Sequence, residues 1–457
     1  MEKKSLSLSE KRKRLAEQKK HKKAKKQNLT AKNPSHWQLS ELSEHYQNGR
    51  FGDAENLARA MTQEFPRHVF AWKVLGAVLG KTNRKSESLD ADQTAVALSP
   101  QDADAHYNLG VTLQELGRFD EAEASYRQAI VLRPDLAEAH NNFGNMLKDI
   151  GKLGEAEASF RQAIVLDSDF AEAHCNLGNT LLELERLGEA EASYVQAIAL
   201  KPGYAEAHNR LLTCLYQLDK KDAFFDELDC LINQDKANAV IGSLTCRSAL
   251  KYGLEKPNLF CREPLKYLLH RDLTAQYDFG TIFIEKAKSI LNENRISNRK
   301  QSLLVNGYQT SENLFDIENE FTNEIQRTIR FEIEKYRMNF KNSDEGFIRK
   351  WPTDYSLYGW LISMKSGGEL YPHIHNQGWL SGSIYINIPR GLEGDDGKFV
   401  VSVGEEKDAI GARMNGKRIV NVVTGSLVLF PASLTHYTIP FESEEERIVL
   451  AFDVKQK

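Results

Sequence analysis

Apolar and small residues recur with a period of 34 residues between residues 35 and 204. In one copy, the stretch AEAHNNFGNMLKDIG carries apolar residues at helical spacing and stops at Gly151, and the stretch EAEASFRQAIVLDS predicts a second helix. The alanines of the second helix allow its neighbour to approach closely. Because a helical pair this short cannot bury its apolar face alone, we expect the pairs to stack into an α-solenoid.

The period delimits five units, 35–68, 69–102, 103–136, 137–170 and 171–204, and a degraded sixth unit begins at residue 205. Two positions of the first helix repeat most clearly, a histidine and a glycine four residues after it: His106, His140, His174 and His208; Gly110, Gly144 and Gly178. Over residues 205–300 the pattern stays helical without the period, as in FFDELDCLINQ and PLKYLLH. It predicts helices that cap the solenoid and bridge to the rest of the chain.

These repeats resemble the tetratricopeptide repeat, whose units read W-x-x-L-G-x-x-Y and then A, F/Y, A and P, and the resemblance covers residues 35–204. The sequence departs from the family by placing histidine where tryptophan is usual. Equivalent helices of stacked repeats lie about 10 Å apart, so successive histidines cannot share one metal ion. We expect them to be packing residues.

The resemblance also assigns a role to Asn108, Asn142 and Asn176, which occupy the sixth position of successive units. In the family this position faces the concave groove, where asparagines bind the backbone of an extended peptide. A side-chain amide offers both a donor and an acceptor to a peptide unit. The alternative is that these asparagines satisfy neighbouring helix ends.

After Trp351 the pattern changes to alternation and tight turns. Six segments are short and rich in Val, Ile and aromatic residues, which is typical of strands: LYGWLISMKSGG, SGSIYINIP, GKFVVSVG, KRIVNVV, GSLVLFP and RIVLAFDV. They predict a compact antiparallel sandwich or barrel. A further helix is predicted over residues 315–338.

Three histidines and one arginine stand out in this part of the chain. His373 and His375 are two residues apart at a strand, so both can point to one face. His436 follows the strand GSLVLFP, and Arg447 opens the last strand. A structural pair is the ordinary interpretation of an isolated H-x-H, but the distal histidine and the arginine make it less favoured.

The segment resembles the double-stranded β-helix (jelly roll) of the Fe(II)/2-oxoglutarate-dependent oxygenases over residues 345–456, and weakly from about residue 300. We therefore assign residues 301–457 to this domain. The resemblance implies that His373, His375 and His436 bind Fe(II) and that Arg447 binds the cosubstrate 2-oxoglutarate. Tyr385 is a second candidate for contacting the cosubstrate. An arginine fork suits the far carboxylate of 2-oxoglutarate.

One departure from the oxygenase pattern concerns charge. The usual carboxylate ligand is absent, with His375 in its place, so three neutral imidazoles would leave the centre one unit more positive. Coordination by His375 and His436 alone is a second possibility. A third is a fold that is retained without catalysis.

Charge and composition add two expectations. Residues 1–33 hold thirteen Lys or Arg and three Glu, so this tail carries about +10 of a chain whose net charge is −4. The tail is predicted to be a disordered or helical arm, either for an anionic partner or solvated against an acidic body. The chain has five cysteines without a C-x-x-C pair, and it has neither an apolar signal core nor an apolar run of about 18 residues. These features predict a cytoplasmic protein without a membrane span.

Together these patterns predict an α+β multidomain protein, a tetratricopeptide solenoid followed by a double-stranded β-helix. The predicted function is a 2-oxoglutarate-dependent dioxygenase that hydroxylates a protein or peptide recruited by the solenoid. The alternative is a non-catalytic interaction scaffold with a degenerate oxygenase domain. A third hypothesis is a small-molecule oxygenase whose repeats only dock it to a larger complex.

Overall fold

The computed structural model describes residues 33–292, 298–299, 303–310, 313–316, 320–404 and 416–457. The basic tail predicted over residues 1–33 lies outside them, apart from Asn33. The chain divides into two compact units, Met1–Tyr204 and Ala205–Lys457. None of the described helices is both long enough and apolar enough to cross a membrane.

The first unit consists of helix pairs that follow the 34-residue period. Its described helices are α1 (His36–Gln47), α2 (Phe51–Glu64), α3 (Val69–Lys81), α4 (Lys85–Leu98), α5 (Ala103–Glu115), α6 (Phe119–Leu132), α7 (Ala137–Asp149), α8 (Leu153–Leu166), α9 (Ala171–Glu183) and α10 (Leu187–Leu200). The connection within a pair turns sharply at a left-handed residue, such as Gly117 with φ 71° or Gly151 with φ 80°.

A glycine and an aromatic ring hold the two helices of a pair together. A Cβ atom at Gly144 would lie 2.8 Å from the ring of Phe160, and one at Gly178 would lie 2.6 Å from the ring of Tyr194. Phe160 and Tyr194 are fully buried. The repeated glycine is therefore required because the ring of the second helix occupies the space of its side chain.

The repeated histidines bond to the preceding turn. His140 Nε2 lies 3.0 Å from the carbonyl oxygen of Pro134, and His106 makes the same contact with Pro100. Trp72 Nε1 donates to Pro66 O at 2.9 Å from the equivalent position. Histidine can replace tryptophan here because both rings carry an N–H for the same carbonyl group. His208, in the degraded unit, is buried and contacts Glu227 Oε1 through Nδ1 at 2.5 Å.

The second unit starts with three helices, α11 (Ala205–Gln217), α12 (Lys221–Asn233) and α13 (Ala239–Tyr252). Later in this unit come two 3₁₀ turns (Pro264–Tyr267 and Leu314–Asp316), a six-residue π-helical segment (Gly280–Glu285), α14 (Lys286–Asn292), α15 (Glu320–Asn339) and α16 (Gly346–Arg349). The strands are β1 (Leu269–Asp272), β2 (Asn298–Arg299), β3 (Leu304–Thr310), β4 (Tyr355–His373), β5 (Leu380–Asn387), β6 (Phe399–Ser402), β7 (Lys417–Val420), β8 (Ser426–Pro431), β9 (Thr435–Thr438) and β10 (Arg447–Gln456).

These strands form an antiparallel, nearly closed sandwich or barrel. The strand order is β1-β8-β5-β10-β4-β9-β6-β7, and β3 also pairs with β4 and with β2. One face of β4, β5 and β10 packs against α15 through a cluster that includes Ile333, Leu361, Ile384 and Phe452. The predicted fold class, an α-solenoid followed by a double-stranded β-helix, is confirmed.

One local prediction needs correction. The stretch PLKYLLH, predicted to be helical, forms one 3₁₀ turn over Pro264–Tyr267, and β1 follows it because the backbone of Leu269–Asp272 pairs with β8. The sheet therefore begins within the residues assigned to the bridging helices. His436 follows strand β8, as expected from the sequence, and itself lies within the short strand β9.

Candidate metal centre

A cavity of about 300 Å³ lies inside the barrel, on the sheet face opposite α15. Because side chains alternate along a strand, every second residue of β4, β5 and β10 faces it. The residues that line it from these strands include Tyr358, Trp360, Ile362 and Met364; Ser381, Ser383 and Tyr385; Arg447, Val449, Ala451, Asp453 and Lys455. The three predicted metal ligands and the predicted cosubstrate arginine line this one cavity.

The strand register brings the three histidines together. His373 ends β4 and is the direct antiparallel partner of His436 in β9, and their ring centroids are 4.3 Å apart. His375 follows two residues after His373, with its ring centroid 4.7 Å from that of His436. The nitrogen atoms that could bind a metal all lie within 4.8 Å of one another.

Hydrogen bonds fix the orientation of each imidazole. Nδ1 of His373 contacts Tyr371 O at 2.8 Å, Nδ1 of His436 contacts Leu434 O at 3.2 Å, and Nδ1 of His375 contacts Asp453 Oδ1 at 2.6 Å. A carbonyl or carboxylate oxygen only accepts, so each Nδ1 must carry the proton and donate it. The Nε2 atoms are then left with bare lone pairs for a metal ion.

The close contact between the Nε2 atoms of His373 and His375 is the arrangement expected at a bound cation. Their Nε2 atoms are 3.2 Å apart. Since both Nδ1 atoms donate elsewhere, the two Nε2 atoms can lie this close only with a positive charge between them, either a shared proton or a metal ion. The donor set therefore fits a divalent first-row metal such as Fe(II), for which imidazole is a suitable ligand.

Burial keeps two of the imidazoles uncharged. It lowers the pKa of His373 to about 4, with the neighbouring His375 as a second cause. Burial also lowers the pKa of His436 well below its ordinary value, and His373 and His375 add to the shift. Neutral imidazoles have a lone pair to donate, so His373 and His436 are ready to bind metal at neutral pH.

Arg447 is a buried cation that lines the same cavity. Its side chain is completely buried, Nη1 donates to Gly397 O, and the guanidinium lies 5.2 Å from the ring centroid of Tyr385. Its Nε and Nη2 atoms have no hydrogen-bond partner among the described residues. A buried guanidinium with two unused donors fits a planar carboxylate, such as that of a 2-oxo acid.

Tyr385 makes a cation–π contact with Arg447. Its ring is buried on the cavity side of β5 and packs against the guanidinium, where its π face attracts the cation. Burial raises the pKa of the Tyr385 hydroxyl, which keeps it protonated. Contact of Tyr385 with the cosubstrate stays a prediction.

Asp453 and Ser381 were not identified from the sequence, and their side-chain oxygen atoms contact Nδ1 of His375. Ser381 Oγ donates to Asp453 Oδ1 at 2.7 Å, and both side chains are buried. The signal was present, because Asp453 shares its strand face with Arg447, Val449 and Ala451. A carboxylate among inward-facing residues of a buried strand indicates a charged partner.

The asparagines predicted to bind peptide lie on the first helices of three repeats in the other unit. Asn108 is half-buried on α5. Asn142 Nδ2 donates to Tyr107 OH at 2.7 Å, and Asn176 Nδ2 donates to Asn141 Oδ1 at 3.0 Å. These bonds join successive repeats, so Asn142 and Asn176 also stabilise the stacking of the solenoid.

Comparison with known families agrees with both parts of the chain. The model of the family described as "Putative 2OG-Fe(II) oxygenase" matches residues 358–453. Tetratricopeptide-repeat models match residues 39–103, 103–136, 144–185 and 171–204. No curated protein matches the chain.

Several solved structures are similar to part of the chain. That of pilF from Pseudomonas aeruginosa is 21% identical over 40% of this chain and 84% of its own, with a TM-score of 0.38. YrrB, "a TPR protein with an unusual peptide-binding site", is 22% identical over 38% and 90%, with a TM-score of 0.32. A thermophilic TPR protein from Thermus thermophilus is 25% identical over 39% and 97%, with a TM-score of 0.35.

Proposed function

Because the chain joins tetratricopeptide repeats to a domain of the 2-oxoglutarate/Fe(II) oxygenase type, we propose that it is a dioxygenase that hydroxylates a protein or peptide. In the proposed reaction, a substrate C–H bond, O₂ and 2-oxoglutarate give the C–OH product, succinate and CO₂. His373, His375 and His436 would hold Fe(II), and Arg447 would hold the far carboxylate of 2-oxoglutarate. The bound metal would supply the oxidising chemistry.

One observation carries this proposal: three converging Nε2 atoms and a buried arginine with two unused donors share one cavity. Three ligands on one side leave positions of an octahedral ion open for a 2-oxo acid and O₂. Part of the cavity wall is apolar, with Trp360, Val449 and Phe430 among its residues, and such surfaces exclude competing water. A structural histidine cluster would not need the neighbouring anion site.

The test of catalysis is succinate formation from 2-oxoglutarate under air, in the presence of Fe(II) and a peptide pool. Mass spectrometry of the peptides detects the gain of one oxygen atom. We expect both products from the native chain and neither from His436→Gln, with His36→Gln at the exposed start of α1 as the active control. Metal uptake without succinate in any pool would instead support the non-catalytic scaffold.

We further propose that the substrate peptide binds the first helices of the repeats through Asn108, Asn142 and Asn176. Each side-chain amide has two N–H groups. Asn142 and Asn176 each use one of them towards the preceding repeat, within the part of the chain that the structure describes. The second N–H of each amide remains for the backbone carbonyl groups of an extended peptide.

A matched pair of variants separates peptide binding from repeat packing. Asn142→Ala removes the amide and its bond to Tyr107, whereas Tyr107→Phe removes the same bond and keeps the amide. We expect only Asn142→Ala to raise the KM for the peptide while 2-oxoglutarate turnover without peptide is unchanged. Equal effects of the two variants would assign Asn142 to packing alone.

Two further proposals concern the setting of the protein. All five cysteines are free thiols, and Cys175, Cys214 and Cys261 are buried. Free thiols suit the reducing cytoplasm, which we propose as the location.

We also propose that the basic tail binds an anionic partner. Salt-dependent binding of the chain to polyanion beads, compared with that of a chain lacking residues 1–32, tests this proposal.

A further inference from the structure

Asp453 is a buried carboxylate next to the proposed metal ligands. It lies on β10, is 3% exposed and faces the cavity. Its Oδ1 atom accepts from His375 Nδ1 at 2.6 Å and from Ser381 Oγ at 2.7 Å. A carboxylate taken out of water needs a positive charge close by, since hydrogen bonds alone do not replace its hydration.

In the part of the chain that the structure describes, no lysine or arginine forms an ion pair with Asp453. Among the described residues, its ion-pair partner is His375, whose other ring nitrogen faces His373. The ammonium of Lys455, two residues further along β10, lies 3.9 Å from the ring centroid of Tyr358. A metal ion bound to Nε2 of His375 would place a positive charge on the far side of the imidazole from Asp453.

The surroundings of His375 hold this arrangement in place. The backbone N–H of Trp379 donates to Val454 O at 2.7 Å, which ties the residues after His375 to β10. A Cβ atom at Gly378 would lie 3.2 Å from Asp453 Oδ1. The chain therefore approaches Asp453 closely and fixes the short bond between Asp453 and His375.

We propose that Asp453 is a positioning residue that supplies, through His375, the negative charge that a carboxylate ligand would otherwise bring to the iron. This inference rests on the proposed Fe(II) site. A carboxylate that accepts from Nδ1 makes the imidazole a more basic ligand and draws its proton away, so the His375–Asp453 pair behaves as an anionic ligand. The net charge of the centre then matches that of two histidines and one carboxylate.

The test compares Asp453→Asn with the native chain in two measurements that do not depend on turnover. Anaerobic Fe(II) and Co(II) titrations should show affinity about 10- to 100-fold lower in the variant. The Fe(III)/Fe(II) midpoint potential should become more positive. The negative charge of Asp453 stabilises Fe(III) more than Fe(II), so its removal destabilises the oxidised ion more. Ser381→Ala is the control, since it removes a hydrogen bond and keeps the carboxylate, and its potential should stay native.

The outcomes separate this inference from the proposed function. A native chain that binds no metal contradicts the iron site itself. A native chain that binds iron, with unchanged affinity and potential in Asp453→Asn, overturns the role of Asp453 alone. If Asp453→Asn fails to fold, Asp453→Glu keeps the charge and should retain the native potential, and a positive shift there would contradict the proposal.

Discussion

His373 and His436 lie directly opposite each other on antiparallel strands β4 and β9, with their ring centroids 4.3 Å apart. The pairing of two backbones therefore creates the proposed centre, and the short H-x-H spacing adds His375 to it. A shift of one residue in this register would turn His436 away from the other two histidines. The proposed metal centre thus depends on the same hydrogen bonds that close the barrel.

Cosubstrate binding should depend on the fork of Arg447. Arg447→Lys keeps the positive charge but loses two buried donors, Nε and Nη2, which have no partner among the described residues. We expect the KM for 2-oxoglutarate to rise by about tenfold or more, because a bidentate charged pair becomes a single contact. Steady-state turnover at increasing 2-oxoglutarate measures it, and a native KM would place the cosubstrate elsewhere.

Two glycines of the same repeat are predicted to differ sharply in how well they tolerate substitution by alanine. A Cβ atom at Gly144 would meet the ring of Phe160 at 2.8 Å, whereas Gly154 has no atom within 4 Å of its added Cβ. Gly144→Ala should lower the free energy of unfolding by about 1–3 kcal/mol through overpacking. Gly154→Ala should raise it by about 0.5–1 kcal/mol through helix propensity. Denaturant unfolding of both variants checks this, and similar values would contradict the interlocked packing.

The histidine of each repeat should be replaceable by tryptophan but not by alanine. His140→Trp can keep the bond to Pro134 O, as Trp72 does to Pro66 O, whereas His140→Ala leaves the carbonyl without this partner. We expect His140→Ala to cost about 1 kcal/mol of stability and His140→Trp to cost less. Thermal unfolding of the two variants measures these losses of stability. Equal losses would show that the ring stabilises the repeat by packing and not by its bond to Pro134 O.

Asp92 makes the stability of the solenoid pH-dependent. It occupies the place that Phe160 takes in a later repeat, is buried, and accepts from Thr112 Oγ1 at 2.7 Å. Its Oδ1 atom has no partner among the described residues. Burial raises the pKa of Asp92 to about 7, so the folded chain holds a proton that the unfolded chain releases near pH 4.

Stability contributed at this site should therefore fall as pH rises from about 4 to 7. Asp92→Asn mimics the protonated carboxyl group and should remove that loss. We expect the variant to gain on the order of 1–3 kcal/mol over the native chain at pH 8, and little at pH 4.5. Unfolding curves at the two pH values measure the difference, and a gain that does not change with pH would show that Asp92 does not titrate.

The sequence predicts those features that are local or periodic. The 34-residue period and the alternation of RIVLAFDV are sufficient to predict the helix pairs and the inward face that carries Arg447, Val449 and Ala451. Pairing between distant segments is not visible in this way. The strand of His436, the strand formed from PLKYLLH onwards and the bond between His375 and Asp453 all depend on neighbours far along the chain.

The central claim is that His373, His375 and His436 bind one Fe(II) ion that also takes up 2-oxoglutarate. An anaerobic titration of the full chain with Fe(II) and 2-oxoglutarate, followed through the visible charge-transfer band of the chelate, tests it most directly. The account predicts a band that saturates at one iron per chain and disappears in His436→Ala. No band in the native chain, or an undiminished band in His436→Ala, would contradict it.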